Sequence, residues 1–229
     1  MILVLADTFD QPAQRLVARW AAHDARLMTP RDLSRPGWRL HPGAPSRWSA
    51  AVSDTILQDT DPLLGVVCCL HAVNPATLGW IVAADRDYVA TEMTAFLASW
   101  LTELRCVVVN RPTPTCLCGP GWRPAAWASA ASALGIPVSR ARATARRGGP
   151  WRARRVMTIA GRRCLGTGGE LIAARAGQLA ERAGLRLAQF AFGDDADGSP
   201  LLDASPTADL DDEAVADGLL DLLRETLPC

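Results

Sequence analysis

An unbroken apolar run, Met1 to Ala6, ends at Asp7 and constrains the fold more than any other feature of the chain. A strand without polar alternation has to be covered on both faces, the condition of a parallel strand inside an α/β sheet. Leu16, Val17 and Trp20 then recur at helical spacing over residues 11–22, and residues 25–28 read as a short second strand. A strand-helix-strand opening of this kind predicts a doubly wound sheet. Apolar runs at 64–70 and 106–109 supply two further strands. Between them, Ala90, Met93, Phe96, Leu97, Trp100, Leu101 and Leu104 form one stripe of a helix over 85–104. Residues 29–47, rich in Pro and Arg, read as a long surface loop.

The second half is organised differently. Residues 122–134 form an Ala-rich helix with Pro124 in its first turn and Gly135 as its stop. Residues 140–163 then hold nine arginines and no acidic residue. Within and after that segment the pattern predicts strands at 156–160, 185–192 and 201–204. Helices are predicted over 170–183 and 211–227, the last acidic and amphipathic. The Gly166-Thr167-Gly168-Gly169 turn reads as a plain hairpin-to-helix connection in preference to an anion cradle.

Basic and acidic residues balance at 24 each, and every basic residue is arginine. Chemistry that needs a lysine amine is therefore excluded. No apolar run reaches the length of a membrane span, and no signal-peptide pattern is present, so a cytoplasmic location is expected. The seven cysteines do not form a disulfide framework. Cys68, Cys69 and Cys106 sit in strand-like runs and are expected to be buried, reduced thiols. Cys116 and Cys118 lie in a Pro- and Gly-rich loop and are expected to be exposed. A Cys-x-Cys with a distant Cys-Cys does not give metal-ligand spacing, and His23, His41 and His71 are scattered, so no metal site is expected.

A series of weak motifs stands in a recognisable order. Asp85-Arg86-x-Tyr88-x3-Glu92 comes first, then Trp100-Leu101 and Val109-Asn110-Arg111-Pro112. Gly119-Pro120-Gly121-Trp122, the Trp127 helix and Gly135-Ile136-Pro137-Val138 follow. Farther on stand Val156-x3-Ala160-Gly161-Arg162, Ala183-Gly184-Leu185 and Leu201-Leu202-Asp203-Ala204-Ser205-Pro206. In this order they resemble ATP-grasp ligases of the RimK-like, peptide-modifying type, over about four fifths of the chain. The resemblance implies an α/β fold with an N-terminal doubly wound, Rossmann-like (pre-ATP-grasp) layer, followed by a reduced α+β ATP-grasp-like remnant. The implied domains are 1–138, an Arg-rich linker at 139–155 in place of the ATP-clamping lid, and 156–229.

The departures from the family pattern bear on function. The resemblance assigns two lysines and a purine-binding linker to the space that here holds only residues 139–155. Its three metal-ligand positions correspond to Gln189, Asp203 and Ser205, of which Asp203 alone is a carboxylate. The expectation is a catalytically degenerate, ATP-grasp-like pseudoenzyme that binds a protein or peptide partner, possible oligomers included, with no cofactor and no membrane. Two alternatives stand beside it. One is an active minimal or two-subunit carboxylate–amine ligase using ATP and Mg²⁺, and the other is an arginine-driven nucleic-acid binder, disfavoured by the neutral net charge. Candidate ligand or partner residues are Asp85, Arg86, Tyr88, Glu92, Asn110 and Arg111, with no catalytic residue named. For the four on the helix, the competing reading is a capping and ion-pair group. The basic patch is Arg146, Arg147, Arg152, Arg154 and Arg155. It reads as a solvated loop, a seat for the acidic C-terminal part, or a binding surface.

Overall fold

A computed structural model describes residues 1–41, 48–138, 154–193 and 198–225. The chain divides into two compact units, one formed by Met1–Gly121 with Leu223–Cys229 and the other by Trp122–Leu222. Among the described residues, no helix is long and apolar enough to cross a membrane.

The first unit is built on a four-stranded parallel sheet of β1 (Ile2–Leu5), β2 (Ala25–Met28), β6 (Gly65–Cys68) and β7 (Val107–Val109), in the order β2-β1-β6-β7. Every residue of β1 and β6 is buried, as continuous apolar runs require. Helix α1 (Gln11–Arg19) joins β1 to β2 and starts at Asp10, whose carboxylate accepts from the Ala13 N–H at 3.0 Å. Helix α2 (Arg86–Glu103) joins β6 to β7 and buries Ala90, Leu97, Trp100 and Leu101. Because β2 and β6 flank β1 on opposite sides, the chain order reverses between β1 and β6. Open α/β sheets place ligands at the carboxyl ends of such a pair.

The expected surface loop at 29–47 is corrected by the structure over 29–41, with residues 42–47 outside the described residues. Asp32 is 6 % exposed and organises the region. Its carboxylate accepts from the Thr29 N–H at 2.8 Å, the Thr29 hydroxyl at 3.0 Å and the Ser53 N–H at 3.0 Å. A small antiparallel sheet of β3 (Arg39–Leu40), β4 (Trp48–Val52) and β5 (Thr55–Gln58) follows. Trp38 and Trp48 each meet Trp100 edge-on, at centroid distances of 5.5 and 5.7 Å. The tryptophans are packed in the core because a ring buries far more apolar area than its single N–H costs, even at Trp100, whose buried N–H has no partner among the described residues. For Trp38 the partner is the Asp32 carbonyl at 2.8 Å.

The second unit holds an antiparallel sheet in the order β11-β10-β8-β9, from β8 (Arg154–Ala160), β9 (Arg163–Gly166), β10 (Leu187–Gly193) and β11 (Leu201–Ser205). Helices α3 (Pro124–Ala133) and α4 (Gly169–Ala183) cover one face, where Trp127, Ile172, Leu179, Ala188, Phe190 and Phe192 share a core. Helix α5 (Glu213–Glu225) carries Asp221, which pairs with Arg163. The β8–β9 turn needs Gly161, whose φ is +64° and where a Cβ would lie 2.9 Å from the Gly218 carbonyl oxygen. The turn before α4 is a packing turn, as expected, since the Gly168 N–H is directed at the Met157 sulfur, 3.3 Å away.

Candidate functional site

The six candidate residues of the first unit separate into two groups. Arg86, Tyr88 and Glu92 lie in the first turns of α2, with Asp85 just before it. The Asp85 side chain makes no capping hydrogen bond, which corrects the helix-cap reading. Arg86 instead ties the preceding turn, donating from Nε to the Ile81 carbonyl at 3.0 Å. Tyr88 is 69 % exposed and Glu92 is also on the surface. Arg111 is at the other end of the same helix. At about 1.5 Å per residue, the carbonyls that Arg111 meets at Leu101 to Leu104 stand about 14 to 27 Å along the helix from Glu92 and Arg86, so the Arg111 guanidinium is not beside the first group.

The chemistry of Arg111 is directed inward. Its two terminal nitrogens donate to the carbonyls of Leu101, Thr102, Leu104 and Cys106 at 3.1 to 3.3 Å. The last carbonyls of a helix lack intrahelical donors and carry partial negative charge, so a guanidinium there acts as a C-terminal cap. Asn110 is buried at 2 % exposure, and its amide donates to the Cys118 carbonyl at 3.1 Å. Both residues hold the loop after β7 in place.

That loop contains the arrangement the sequence concealed. Cys116 and Cys118 are buried, which corrects their expected exposure. The loop folds back on itself as the Thr113 N–H donates to the Cys116 carbonyl at 2.8 Å and the Cys116 N–H returns to the Thr113 carbonyl at 3.2 Å. The Leu117 N–H then donates to the His71 carbonyl at 2.9 Å, binding the loop to the chain just beyond β6. A ring nitrogen of His71 and the Cys116 and Cys118 sulfurs consequently lie within 4.8 Å of one another. His71 is therefore not the isolated histidine that its sequence setting suggests. The two sulfurs are 3.5 Å apart and share a hydrogen bond. Hydrogen bonding from Cys118, above all, lowers the Cys116 thiol, with a smaller contribution from His71. The same bond and burial push Cys118 up.

In the second unit the β10–β11 register sets Gln189 directly opposite Ser205 and Ala191 opposite Asp203. Side chains two residues apart on a strand share a face, so Gln189, Asp203 and Ser205 converge on one side, away from the core of α3 and α4. Asp203 also lines a 210 Å³ cavity with Pro124, Trp127, Val138 and Leu201. Of the basic patch, Arg146, Arg147 and Arg152 lie outside the described residues. Arg154 and Arg155 open β8, paired with Gly193 and Phe192, so they belong to a strand and not to a linker.

Similar solved structures agree with this architecture. The ATP-grasp ligase PsnB, complexed with a minimal precursor, superposes with a TM-score of 0.69 at 12 % identity, over 96 % of this chain and 98 % of that one. The macrocyclase MdnC from Microcystis aeruginosa, bound with precursor peptide MdnA, gives 0.69 at 10 % identity, over 97 % and 98 %. A Chryseobacterium gregarium RiPP-associated ATP-grasp ligase, in complex with ADP and a leader and core peptide, gives 0.62 at 9 % identity, over 99 % and 97 %. The chain has the ATP-grasp fold. By sequence, no family model and no curated protein matches it. Within the ATP-grasp fold, the order of the motifs points to the right architecture, while nothing in it discloses the His71, Cys116 and Cys118 cluster.

Proposed function

We propose that this chain is a non-catalytic ATP-grasp scaffold that binds a peptide or protein in a peptide-maturation setting. The observation that carries the reading is the donor set on the β10–β11 face, namely an amide, a hydroxyl and the single carboxylate of Asp203. Magnesium prefers a nearly octahedral shell of hard oxygens and is usually held by one or two carboxylates with substrate phosphates. Phosphoryl transfer depends on charge stabilisation; Asp203 brings the one carboxylate of this face, and in a lysine-free chain any protein cation at the phosphates has to be an arginine. With one carboxylate, this face stands at the low end of what holds Mg²⁺-ATP. The peptide half of the reading rests on fold likeness, because the similar structures were solved with precursor or leader peptides.

A second reading, an ATP-dependent carboxylate–amine ligase acting alone or completed by a second subunit, is favoured by the near end-to-end coverage of ligase structures. Calorimetric titration with ATP and Mg²⁺ separates the two. The scaffold reading expects no heat of binding and no ADP release with amine and acid substrates. A micromolar dissociation constant, or ADP release, would overturn it. Fluorescence-polarisation binding of precursor peptides encoded beside its gene tests the peptide half, with saturable binding expected in the absence of nucleotide.

A further inference from the structure

We propose that His71, Cys116 and Cys118 hold one Zn²⁺ at the carboxyl edge of the parallel sheet, next to the end of β6. The case rests on ligand type, spacing and support. Two thiolates and an imidazole form a soft-to-borderline donor set that selects zinc over hard cations such as Mg²⁺ or Ca²⁺. Tetrahedral zinc with bonds of about 2.3 Å to sulfur places two sulfurs about 3.8 Å apart. The observed sulfurs are at 3.5 Å, and the imidazole nitrogen lies within 4.8 Å of both. The sulfurs need to part by only a few tenths of an ångström, and a rotation of the exposed His71 side chain brings its nitrogen to the about 3.6 Å from sulfur that tetrahedral zinc requires.

The positions are held by backbone bonds and not left to side-chain chance. Asn110 fixes the Cys118 carbonyl, the Thr113–Cys116 pair closes the loop, and the Leu117 N–H anchors it to His71. Support of this kind is what a metal centre draws from the residues behind its ligands. Binding displaces the proton shared by the two sulfurs and any other thiol proton, so a Zn²⁺ between two thiolates is electrically neutral. Neutrality suits two cysteines that are 4 % and 0 % exposed. Three protein ligands leave a fourth position open to water or another ligand, and of the three residues His71 is exposed.

The test uses the full chain, reduced and stripped with a chelator, then titrated with Co²⁺ as a spectroscopic stand-in for zinc. The expected result is a thiolate-to-cobalt charge-transfer band and tetrahedral visible bands that saturate at one equivalent and vanish on adding Zn²⁺. Competition against a chromophoric chelator then gives the zinc affinity. Cys116→Ser and Cys118→Ser should each weaken it by about 100-fold or more and halve the thiolate band, while His71→Gln weakens it about 10-fold or more and keeps the band. Cys164→Ser, at an exposed thiol outside the cluster, should change neither quantity. No charge-transfer band in the wild type, or a band that survives in the folded Cys116→Ser/Cys118→Ser double variant, overturns the site. Should the cysteine variants not fold, His71→Gln decides by itself, because its side chain is exposed. A zinc affinity equal to wild type would then refute the proposal.

Discussion

Replacing Arg111 with methionine separates a structural role from a ligand-binding one. Methionine keeps an unbranched apolar stem and removes every donor, leaving the carbonyls of Leu101, Thr102, Leu104 and Cys106 to water. The side chain is partly exposed, so each bond is assigned the low end of its net range, about 0.5 kcal/mol, for a total of about 2 kcal/mol. In a chain of this length, one kcal/mol moves the midpoint by about 2–4 °C, so Tm should fall by about 4–8 °C. Arg111→Lys keeps the charge but has one nitrogen that cannot reach all four carbonyls, and about half the loss is expected. Thermal unfolding of the full chain, followed by far-UV circular dichroism, reads both variants. A Tm for Arg111→Met within about 1 °C of wild type would show that the carbonyls do not depend on the guanidinium, and Arg111 would return to the pool of ligand-binding candidates.

Burial pushes the Cys68 thiol up to about 12, leaving about one molecule in 10,000 as thiolate at pH 8. Alkylation of native protein at pH 8 should therefore spare Cys68 and reach it only on unfolding, and rapid native labelling would contradict its place in β6. Asp32→Asn turns an oxygen that accepts from a buried N–H into a donor facing one, or leaves one contact empty. A loss of about 2 kcal/mol is expected from the urea midpoint, and an unchanged midpoint would mean the 29–53 region does not depend on this carboxylate. Phe190→Ala removes a fully buried ring that meets Trp127 edge-on at 5.8 Å. It should cost about 3–5 kcal/mol, and a cost below about 1 kcal/mol would show that the second core repacks freely.

What can be read from the sequence follows the strength of periodic signals. β1, β6 and β7 are short apolar runs with no competing interpretation, and the stripe of α2 is long enough to fix its phase, so the parallel sheet is legible. β4 and β5 are not. The alternation of β4 is broken by Ser49, Ala50 and Ala51, and the turn into β5 uses Ser53 at φ +51° where a glycine or asparagine would have announced a hairpin. Residues 29–40 mislead because arginine and proline mark surface loops by composition, while the deciding residue is one aspartate with several N–H and O–H partners. The thiol and imidazole cluster is hidden for a different reason. His71 and Cys116 stand 45 positions apart, 116 less 71, and meet because β6 and β7 are neighbours in the sheet. A spacing rule cannot see a contact made by sheet order.

Strand β10 shows how one fold can keep its architecture while its chemistry changes. Positions 188, 190 and 192 carry Ala, Phe and Phe into the core shared with α3 and α4, and these residues carry the cost of disrupting the unit. Position 189 points the other way, opposite Ser205, beside the row that ends at Asp203. The two sets alternate along the same seven residues, joined by backbone bonds to β8 and β11 that do not depend on side-chain identity. A carboxylate at 189 can therefore become an amide with almost no effect on folding, since the pleat separates the two faces. The donor set on one face and the packing on the other are energetically independent, so fold likeness to ligases does not decide whether a chain is catalytic. On the proposed scaffold reading the deciding positions are 189, 203 and 205, of which only Asp203 carries a carboxylate.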